Sequence, residues 1–239
     1  MKTLVIGASK GLGKALMQGL GNPGDTLIGV ARAIPPHVPA VAGIDTRWIE
    51  ADLAHPAAAV ATITEAVADQ GIDTLIYNLG IWEPLAFDPA YDFLDDQDAQ
   101  IETMIGCNIT ATILLIKRLL PLLLQSQHPR ILLTGSTSGL PRSGRPEVTF
   151  GASKFALQGI ADALREGYRD RRLGLTCLNL GYLNTEDGLE VPVADAVQRG
   201  EGALIPVHDV VQVVRMVLSL SPASFVRELS LPAILDDRF

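Results

Sequence analysis

The stretch that decides the fold opens the chain, where residues 2–13 read Lys-Thr-Leu-Val-Ile-Gly-Ala-Ser-Lys-Gly-Leu-Gly. An apolar run ends in Gly7, and Gly11 and Gly13 then begin a helix-length segment. Without side chains, these glycines allow a tight turn and let a pyrophosphate approach main-chain amides at a helix N-terminus. The pattern predicts a dinucleotide site between a strand and a helix, although a turn that holds no ligand would use the same glycines.

Beyond this turn, short apolar runs alternate with helix-length segments along the whole chain. We expect strands at about 2–7, 25–31, 46–50, 72–77, 129–135, 173–179 and 225–231. We expect helices at about 11–20, 56–70, 97–125, 147–171 and 206–220. The alternation predicts an α/β fold with a Rossmann-type, doubly wound, parallel sheet of seven strands and helices on both faces. Because no repeat or long linker is present, residues 1–239 are expected to form a single domain.

The charge of the chain limits its partners. The formal net charge is −8 at pH 7, and lysine and arginine form no stripe with interleaved aromatic residues. A phosphate backbone would repel such a chain, so we expect no nucleic-acid partner. The four histidines are scattered rather than closely paired, and we therefore expect no metal site.

The sequence also argues against export and membrane insertion. The most apolar stretch, 109–124, is interrupted by Lys117, Arg118 and Pro121 before it reaches the roughly 20 residues that a spanning helix needs. The N-terminal apolar run is too short for the core of a signal peptide. Two cysteines, Cys107 and Cys177, do not suggest a disulfide framework. We expect a cytoplasmic protein with no membrane partner.

Further landmarks follow the glycine-rich turn in a fixed order. They are Asp52-Leu53, Tyr77-Asn78-Leu79-Gly80, Asn108, Ser136, Lys154 and Gly181-x-x-x-Thr185. In these motifs and their order, the chain resembles the short-chain dehydrogenase/reductase family over nearly its full length. The resemblance implies that a nicotinamide dinucleotide binds on the turn and that the protein is an oxidoreductase acting on a small molecule.

The resemblance also implies roles for individual residues around the cofactor. Asp52 would hydrogen-bond the adenine amino group, and Asn78 and Gly80 would line the adenine-ribose side. Leu183 and Thr185 would meet the nicotinamide carboxamide. An alternative for Asp52 is that it caps the following helix, and the two roles are compatible. The complete set expected to contact the cofactor is Gly7, Ser9, Lys10, Gly11, Leu12, Gly13, Arg32, Asp52, Leu53, Asn78, Leu79, Gly80, Lys154, Gly181, Leu183 and Thr185.

Charge at the tip of the second strand indicates the form of the cofactor. A carboxylate there would accept a hydrogen bond from the ribose 2′-hydroxyl of NADH, but residues 29–32 read Gly-Val-Ala-Arg. Arg32 offers a planar cation for a 2′-phosphate, and Lys10 in the turn can reach the same group. In the resembled family, a basic residue at either position accompanies a preference for NADP. We predict NADPH or NADP rather than NADH, although both cations would also suit a solvated surface.

The catalytic segment departs from the pattern of the resembled family. That family uses a serine, a tyrosine that protonates the developing alkoxide, a lysine four residues later, and an asparagine that relays protons. This chain has Ser136, Lys154 and Asn108, but residues 149–154 read Thr-Phe-Gly-Ala-Ser-Lys, so Phe150 replaces the tyrosine. A phenyl ring has no exchangeable proton, and none of the four tyrosines has a lysine four positions later. The usual general acid is absent.

Three functions remain compatible with Phe150. In the first, NADPH delivers hydride to the far carbon of a conjugated enone or dienone, and Ser136 and Lys154 stabilise the enolate while water supplies the proton. In the second, the chain is an ordinary carbonyl reductase or alcohol dehydrogenase in which Phe150 is either engineered or compensated. The substitute acid would then be one of Ser136, Ser138, Thr149 and Lys154. In the third, the chain is an NADP-binding pseudoenzyme with a regulatory or structural role.

The sequence says less about the substrate and the assembly. Residues 184–205 are expected to lie over the cofactor as a short acidic lid, so an anionic substrate would need a compensating base. Arg142 and Arg145 could bind a substrate carboxylate, although exposed loop charges would look the same. The resemblance implies that the helices at 97–125 and 147–171 pair with copies of themselves in a homodimer or homotetramer.

Overall fold

The computed structural model of the chain describes residues 1–36 and 41–236. Within them, the inner strands of the main sheet are almost continuously buried, as expected where helices cover both faces of a parallel sheet. The strands are β1 (Lys2–Ile6), β2 (Thr26–Ala31), β3 (Asp45–Glu50), β4 (Thr74–Tyr77), β5 (Arg130–Ser136), β6 (Gly174–Leu180), β7 (Leu183–Asn184), β8 (Ile205–Pro206) and β9 (Glu228–Leu231).

The order of the strands brings the ends of β1 and β4 to the centre of the sheet. The main sheet runs β3-β2-β1-β4-β5-β6-β9, and every pair is parallel. The chain moves outward from β1 to β3, then returns to β4 and moves outward in the other direction. Open parallel sheets bind ligands at such a reversal, beyond the carboxyl ends of the strands. The predicted doubly wound sheet of seven strands is confirmed.

Helices cover both faces of this sheet. They are α1 (Gly11–Gly19), α2 (Pro56–Val67), α3 (Asp98–Ile105), α4 (Ala111–Leu123), α5 (Val148–Gly167), α6 (Val193–Gly200) and α7 (Val207–Ser219). Buried side chains of α1 and α7 form the core on one face, and those of α2, α4 and α5 form the core on the other.

One helical stretch, Asp98–Leu123, is long and apolar enough to cross a membrane by length and composition alone. It comprises α3, a π-helical turn at Gly106–Thr110, and α4. Leu115, Leu119 and Leu123 are completely buried in the core between this stretch and the sheet. Because its apolar side packs on the sheet, the stretch is a core helix of this fold.

The differences from the predicted elements have local causes. The helix predicted over 147–171 ends at Gly167, because Tyr168 leaves the helical conformation and a 3₁₀ turn follows at Arg169–Arg171. The sequence did not predict α6 or the pairing of β7 with β8. These elements are short, with eight residues in α6 and two in each of β7 and β8, so they fall below the window over which a period is recognised.

Candidate active site

The glycine-rich turn folds tightly against the carboxyl end of β1. Gly7 has a φ of +77°, which favours glycine, and the amides of Gly7 and Ala8 both donate to the Val30 carbonyl oxygen at 3.0 Å. A Cβ atom at Gly13 would lie 1.9 Å from the Gly7 carbonyl oxygen, so only glycine fits there. The missing side chains leave a cradle at the N-terminus of α1 that suits a pyrophosphate.

Asn78 ties this turn to the neighbouring strands. Its amide donates to the Ile6 carbonyl oxygen at 3.1 Å, and its Nδ2 donates to the Gly7 carbonyl oxygen at 3.3 Å. Its Oδ1 accepts from Thr134 Oγ1 at 3.2 Å. The Leu79 backbone lies so close that a Cβ at Gly7 would be 3.1 Å from the Leu79 Cα. The ends of β1, β4 and β5 are thus joined where a dinucleotide would lie.

Lys154 reaches the same edge from α5. The residue is only 5% exposed, and its Nζ donates to the Thr134 carbonyl oxygen at 2.9 Å. Burial lowers the pKa of Lys154 from 10.5 to about 8, because desolvation disfavours the ammonium form. Gly80 makes room for this side chain, since a Cβ there would lie 2.8 Å from Nζ. An ammonium group with such a pKa can stabilise a negative charge and can also release a proton near neutral pH.

Phe150 occupies the place expected of a tyrosine. Its side chain is buried, and the centroid of its ring lies 5.7 Å from Lys154 Nζ. Tyr77 cannot take over proton donation, because its Oη donates to the Cys107 carbonyl oxygen at 2.8 Å and burial raises its pKa well above the ordinary value. The site therefore combines a buried lysine with a ring that carries no hydroxyl group.

Ser136 is the last residue of β5. Its Oγ accepts a hydrogen bond from the Ser138 amide at 3.1 Å, and it lies opposite Leu180 at the end of β6. In the described part of the chain the Ser136 hydroxyl donates no hydrogen bond, so its hydrogen is available for a substrate oxygen. Ser138 and Thr149, the other hydroxyls considered as acids, are both buried.

Asn108 lies in the π-helical turn and holds the loop after β4. Its Oδ1 accepts from the Ile81 amide at 2.9 Å, and its Nδ2 donates to the Ile81 carbonyl oxygen at 2.8 Å and to Ser153 Oγ at 2.9 Å. The amide group is therefore engaged with protein atoms. Asn108 fixes the backbone between β4 and α3 against α5, and a proton relay through its side chain has no support in these contacts.

The two cations predicted to bind a 2′-phosphate lie at the expected edge. Lys10 is the N-cap residue of α1, Arg32 follows β2 directly, and both are exposed. Neither forms an ion pair within residues 1–36 and 41–236. Burial raises the pKa of the Cys107 thiol, which Asp52 raises further and Arg32 opposes. The charges of Asp52 and Arg32 thus both act on the buried Cys107 side chain.

Asp52 does not cap the helix that follows it. Its Oδ1 accepts from the Ala54 amide at 3.0 Å, whereas the N-cap residue of α2 is His55, whose side chain makes no capping bond. The predicted capping role is therefore wrong, because the carboxylate closes a turn before the helix begins. The Asp52 side chain is exposed. Its contact with the adenine amino group stays a prediction.

The other predicted cofactor residues offer either backbone or side-chain groups. The side chains of Leu12 and Leu53 are buried in the core, so these residues can offer only main-chain atoms. The Thr185 side chain approaches the turn, where a Cβ at Gly11 would lie 3.3 Å from the Thr185 Cβ. Three further residues of the predicted set are partly buried, namely Ser9, Gly181 and Leu183.

Arg145 is already paired, contrary to the expectation that it receives a substrate carboxylate. Its Nη2 donates to both carboxylate oxygens of Asp236 at 3.0 Å, and the side chains are 7% and 2% exposed. Its Nη1 donates to Tyr182 Oη at 2.7 Å. Asp236 neutralises this guanidinium, so the expectation is wrong for Arg145. Arg142 is exposed at the surface.

Two buried carboxylates at the start of α5 were missed by sequence reasoning. Glu83 Oε1 accepts from the Thr149 and Phe150 amides at 3.0 and 2.9 Å, and Glu147 Oε1 accepts from the Phe87 amide at 2.8 Å. Both glutamates are almost completely buried. The available signal was the isolated carboxylate of Glu83 in the apolar stretch 81–87, since a charge in such a stretch is costly to bury without partners.

The reversal of strand order, the glycine-rich turn, Ser136 and Lys154 are together the features expected of a dinucleotide-binding oxidoreductase with a Rossmann-type sheet. A family model described as short chain dehydrogenase matches residues 2–191. The chain therefore belongs to the short chain dehydrogenase family and is an oxidoreductase of that family.

Individual relatives are distant. The chain is 28% identical over 200 residues to "Uncharacterized oxidoreductase YciK" of Escherichia coli (strain K12), which covers 76% of this chain and 73% of that protein. It superposes with a TM-score of 0.79 on the 3-oxoacyl-[acyl-carrier protein] reductase of Brucella melitensis in complex with NAD, at 20% identity over 97% of this chain and 95% of that one. A metagenomic short-chain oxidoreductase in complex with NADP gives a TM-score of 0.75 at 21% identity, over 97% and 96% of the two chains.

Proposed function

We propose that the protein is an NADPH-dependent reductase that adds hydride to the far carbon of a conjugated enone or dienone. The observation that carries the proposal is the buried pair of Lys154 and Phe150, in which the lysine is present but the ring has no hydroxyl. Reduction of a simple ketone produces an alkoxide, which needs a proton donor at once. Hydride addition to an enone produces an enolate, whose charge is delocalised and needs stabilisation more than immediate protonation.

NADP is the form of cofactor that the side chains favour. The glycine-rich turn suits a pyrophosphate, because Gly13 lets the start of α1 pack directly against the Gly7 carbonyl group and so brings main-chain amides to the carboxyl end of β1. Arg32 and Lys10 are exposed at the same edge and would bind the 2′-phosphate. The two similar structures hold NADP in one case and NAD in the other, so the choice rests on these cations. When bound, NADPH would supply the hydride.

Two side chains would act on the substrate oxygen. The Ser136 hydroxyl would donate a hydrogen bond to the carbonyl oxygen, and the Lys154 ammonium would stabilise the negative charge that develops there. Hydride bonds to the far carbon while the alkene π pair shifts to form the enolate. The enolate then takes a proton from water at the carbon next to the carbonyl, and the C=O bond forms again.

Incubation with NADPH and matched enones and simple ketones tests this function through the loss of reduced-nicotinamide absorbance. We expect turnover of enones alone. Comparable turnover of simple ketones would favour an ordinary carbonyl reductase with a substitute acid. Tight binding of NADPH without turnover of either class would favour a cofactor-binding pseudoenzyme.

We further propose that the protein acts in the cytoplasm as a homodimer or homotetramer. The outer sides of α4 and α5 form an apolar groove that contains Ile113, Leu120, Ile160 and Leu164. Ile113 is 46% exposed, and a second copy of the chain would cover it. Light scattering after size exclusion tests this proposal, and a monomer at micromolar concentration would contradict it.

A further inference from the structure

Four aromatic side chains form a continuous row beside Lys154. The Phe150 and Phe87 ring centroids lie 5.5 Å apart at 85°, and those of Phe87 and Tyr182 lie 5.3 Å apart at 84°. Trp82 contacts the Phe87 ring at 6.1 Å and the Phe150 ring at 6.3 Å. These four residues, which we call the aromatic wall, come from the loop after β4, from α5 and from the segment between β6 and β7.

Buried carboxylates fix the backbone of this wall. Glu83 bonds the amides of Thr149 and Phe150, and Glu147 bonds the amide of Phe87 in return. The loop after β4 and the start of α5 are therefore joined in both directions by charge-assisted hydrogen bonds. Such bonds are stronger than neutral ones, so the rings are held in place before any substrate arrives.

The wall is partly open to solvent. Trp82 is 57% exposed, whereas Phe150 beside Lys154 is 6% exposed. The chain has only six phenylalanines, four tyrosines and two tryptophans, so the wall holds a third of its aromatic residues. A large ring that stays exposed next to the reacting groups indicates contact with an apolar or planar ligand.

The charges around the wall disfavour an anionic ligand. The Arg145 guanidinium lies 4.6 Å above the Tyr182 ring but is neutralised by Asp236. Glu83 and Glu147 are buried against the main-chain amides of Phe150 and Phe87. The other cation beside the wall is Lys154, 5.7 Å from the Phe150 centroid, and the proposed reaction uses it at the carbonyl oxygen. A carboxylate at the wall would therefore be left without a partner and would face buried negative charge.

We infer that the aromatic wall binds an uncharged unsaturated ring that is joined to the conjugated carbonyl of the substrate. The ring would pack against Trp82 and the edge of Phe150, and the carbonyl oxygen would point towards Ser136 and Lys154. This inference rests on the proposed function, because it names the substrate class of the same site. The inference predicts weaker binding of substrates that carry a carboxylate and of small aliphatic enones.

Binding of reaction products to the NADP complex tests the inference without turnover. Calorimetry would compare benzylacetone, isobutyl methyl ketone and para-carboxybenzylacetone, which are a neutral ring ketone, an aliphatic ketone and a ring carboxylate. We expect benzylacetone to bind about 10-fold more tightly than either of the others, as the contribution of aromatic packing implies. It should also change tryptophan emission.

The variant Trp82→Leu should lose most of the preference for the ring and the change in emission, while Trp48 still fluoresces. The matched control is Phe225→Leu, an exposed aromatic residue outside the wall, which should retain both. Equal affinities for the three ketones, tightest binding of the carboxylate, or an unchanged preference in Trp82→Leu would overturn the inference. Failure of the proposed function can be distinguished from failure of this inference. In that case neither benzylideneacetone nor mesityl oxide would be reduced, although benzylacetone would still bind more tightly than the other two ketones.

Discussion

Lys154 Nζ lies 5.7 Å from the centroid of the Phe150 ring, and both residues are on the buried side of α5. Because they are four positions apart on a helix, the ammonium and the ring must share one side of it. The face of the ring attracts the cation but has no proton to give. In the proposed mechanism, Lys154 therefore stabilises negative charge without a neighbouring phenol to donate a proton.

Restoring the hydroxyl should change which bond is reduced. We expect Phe150→Tyr to raise kcat/KM for simple ketones by about 100-fold or more, the range that a positioned general acid contributes. Enone reduction should change much less, because its enolate does not need that acid. Steady-state kinetics on a matched ketone and enone measure both. If ketone reduction does not rise although Phe150→Tyr still binds NADPH, the reactive carbonyl is not held at residue 150.

Enone reduction should fall as pH rises. Burial lowers the pKa of Lys154 to about 8, and the ammonium form is the one that stabilises the enolate, so kcat should decline above about pH 8. Lys154→Arg keeps its charge at higher pH, and this variant should be slower but lack the decline. A decline that is identical in Lys154→Arg would assign the titration to another group.

The cradle should be sensitive to a single methyl group. Gly13→Ala would put a Cβ 1.9 Å from the Gly7 carbonyl oxygen, and we expect NADPH binding to weaken by about 10-fold or more. Fluorescence titration with NADPH measures the Kd. The control is Gly159→Ala in α5, where a Cβ meets nothing within 4 Å. That variant should bind NADPH normally and be more stable by about 0.5–1 kcal/mol, since alanine suits a helix better.

The two exposed cations should discriminate between NADPH and NADH. We expect Arg32→Ala and Lys10→Ala each to raise the Kd for NADPH by about 10-fold, the size of one charged hydrogen bond, with little effect on NADH. Arg169→Ala removes an exposed cation in the 3₁₀ turn that follows α5 and serves as the control. Equal losses for NADPH and NADH in Arg32→Ala would mean that this residue does not bind the 2′-phosphate.

The buried pair of Arg145 and Asp236 should matter for stability. Asp236→Asn would leave the guanidinium buried without its counter-charge, which lowers the free energy of unfolding by about 3–5 kcal/mol. Glu166→Gln breaks the exposed pair with Arg169 and should cost less than about 1 kcal/mol. Urea denaturation of the two variants measures the contrast, and similar small losses in both would refute it.

The parts of the site that depend on local sequence were predictable. The role of Gly13 could be predicted because a tight turn between a strand and a helix requires a glycine there. The role of Phe150 could be predicted because it lies four positions before Lys154. The seven strands of the main sheet were also predictable, because buried parallel strands are short continuous apolar runs. The eight-residue α6 was not, since it is shorter than the window of about 11 residues over which a helical period is recognised, although Val193, Ala196 and Val197 follow that period.

The contacts that shape the substrate side were not predictable, because they join distant positions. Arg145 meets Asp236 across 91 positions, and Glu83 meets the Phe150 amide across 67. In the sequence, Arg145 looks the same as Arg142, which is exposed. Tertiary packing determines which of the two loop arginines is buried and paired, and it makes Arg145 unavailable for a substrate carboxylate while Arg142 stays exposed.

Deuterium transfer tests the central claim most directly. The protein would be incubated with benzylideneacetone and NADPH that carries deuterium at the transferable position of the nicotinamide, and the product would be examined by NMR. Our account predicts benzylacetone with deuterium on the carbon two bonds from the carbonyl carbon. An allylic alcohol with deuterium on its carbinol carbon would contradict it, because hydride would then have gone to the carbonyl.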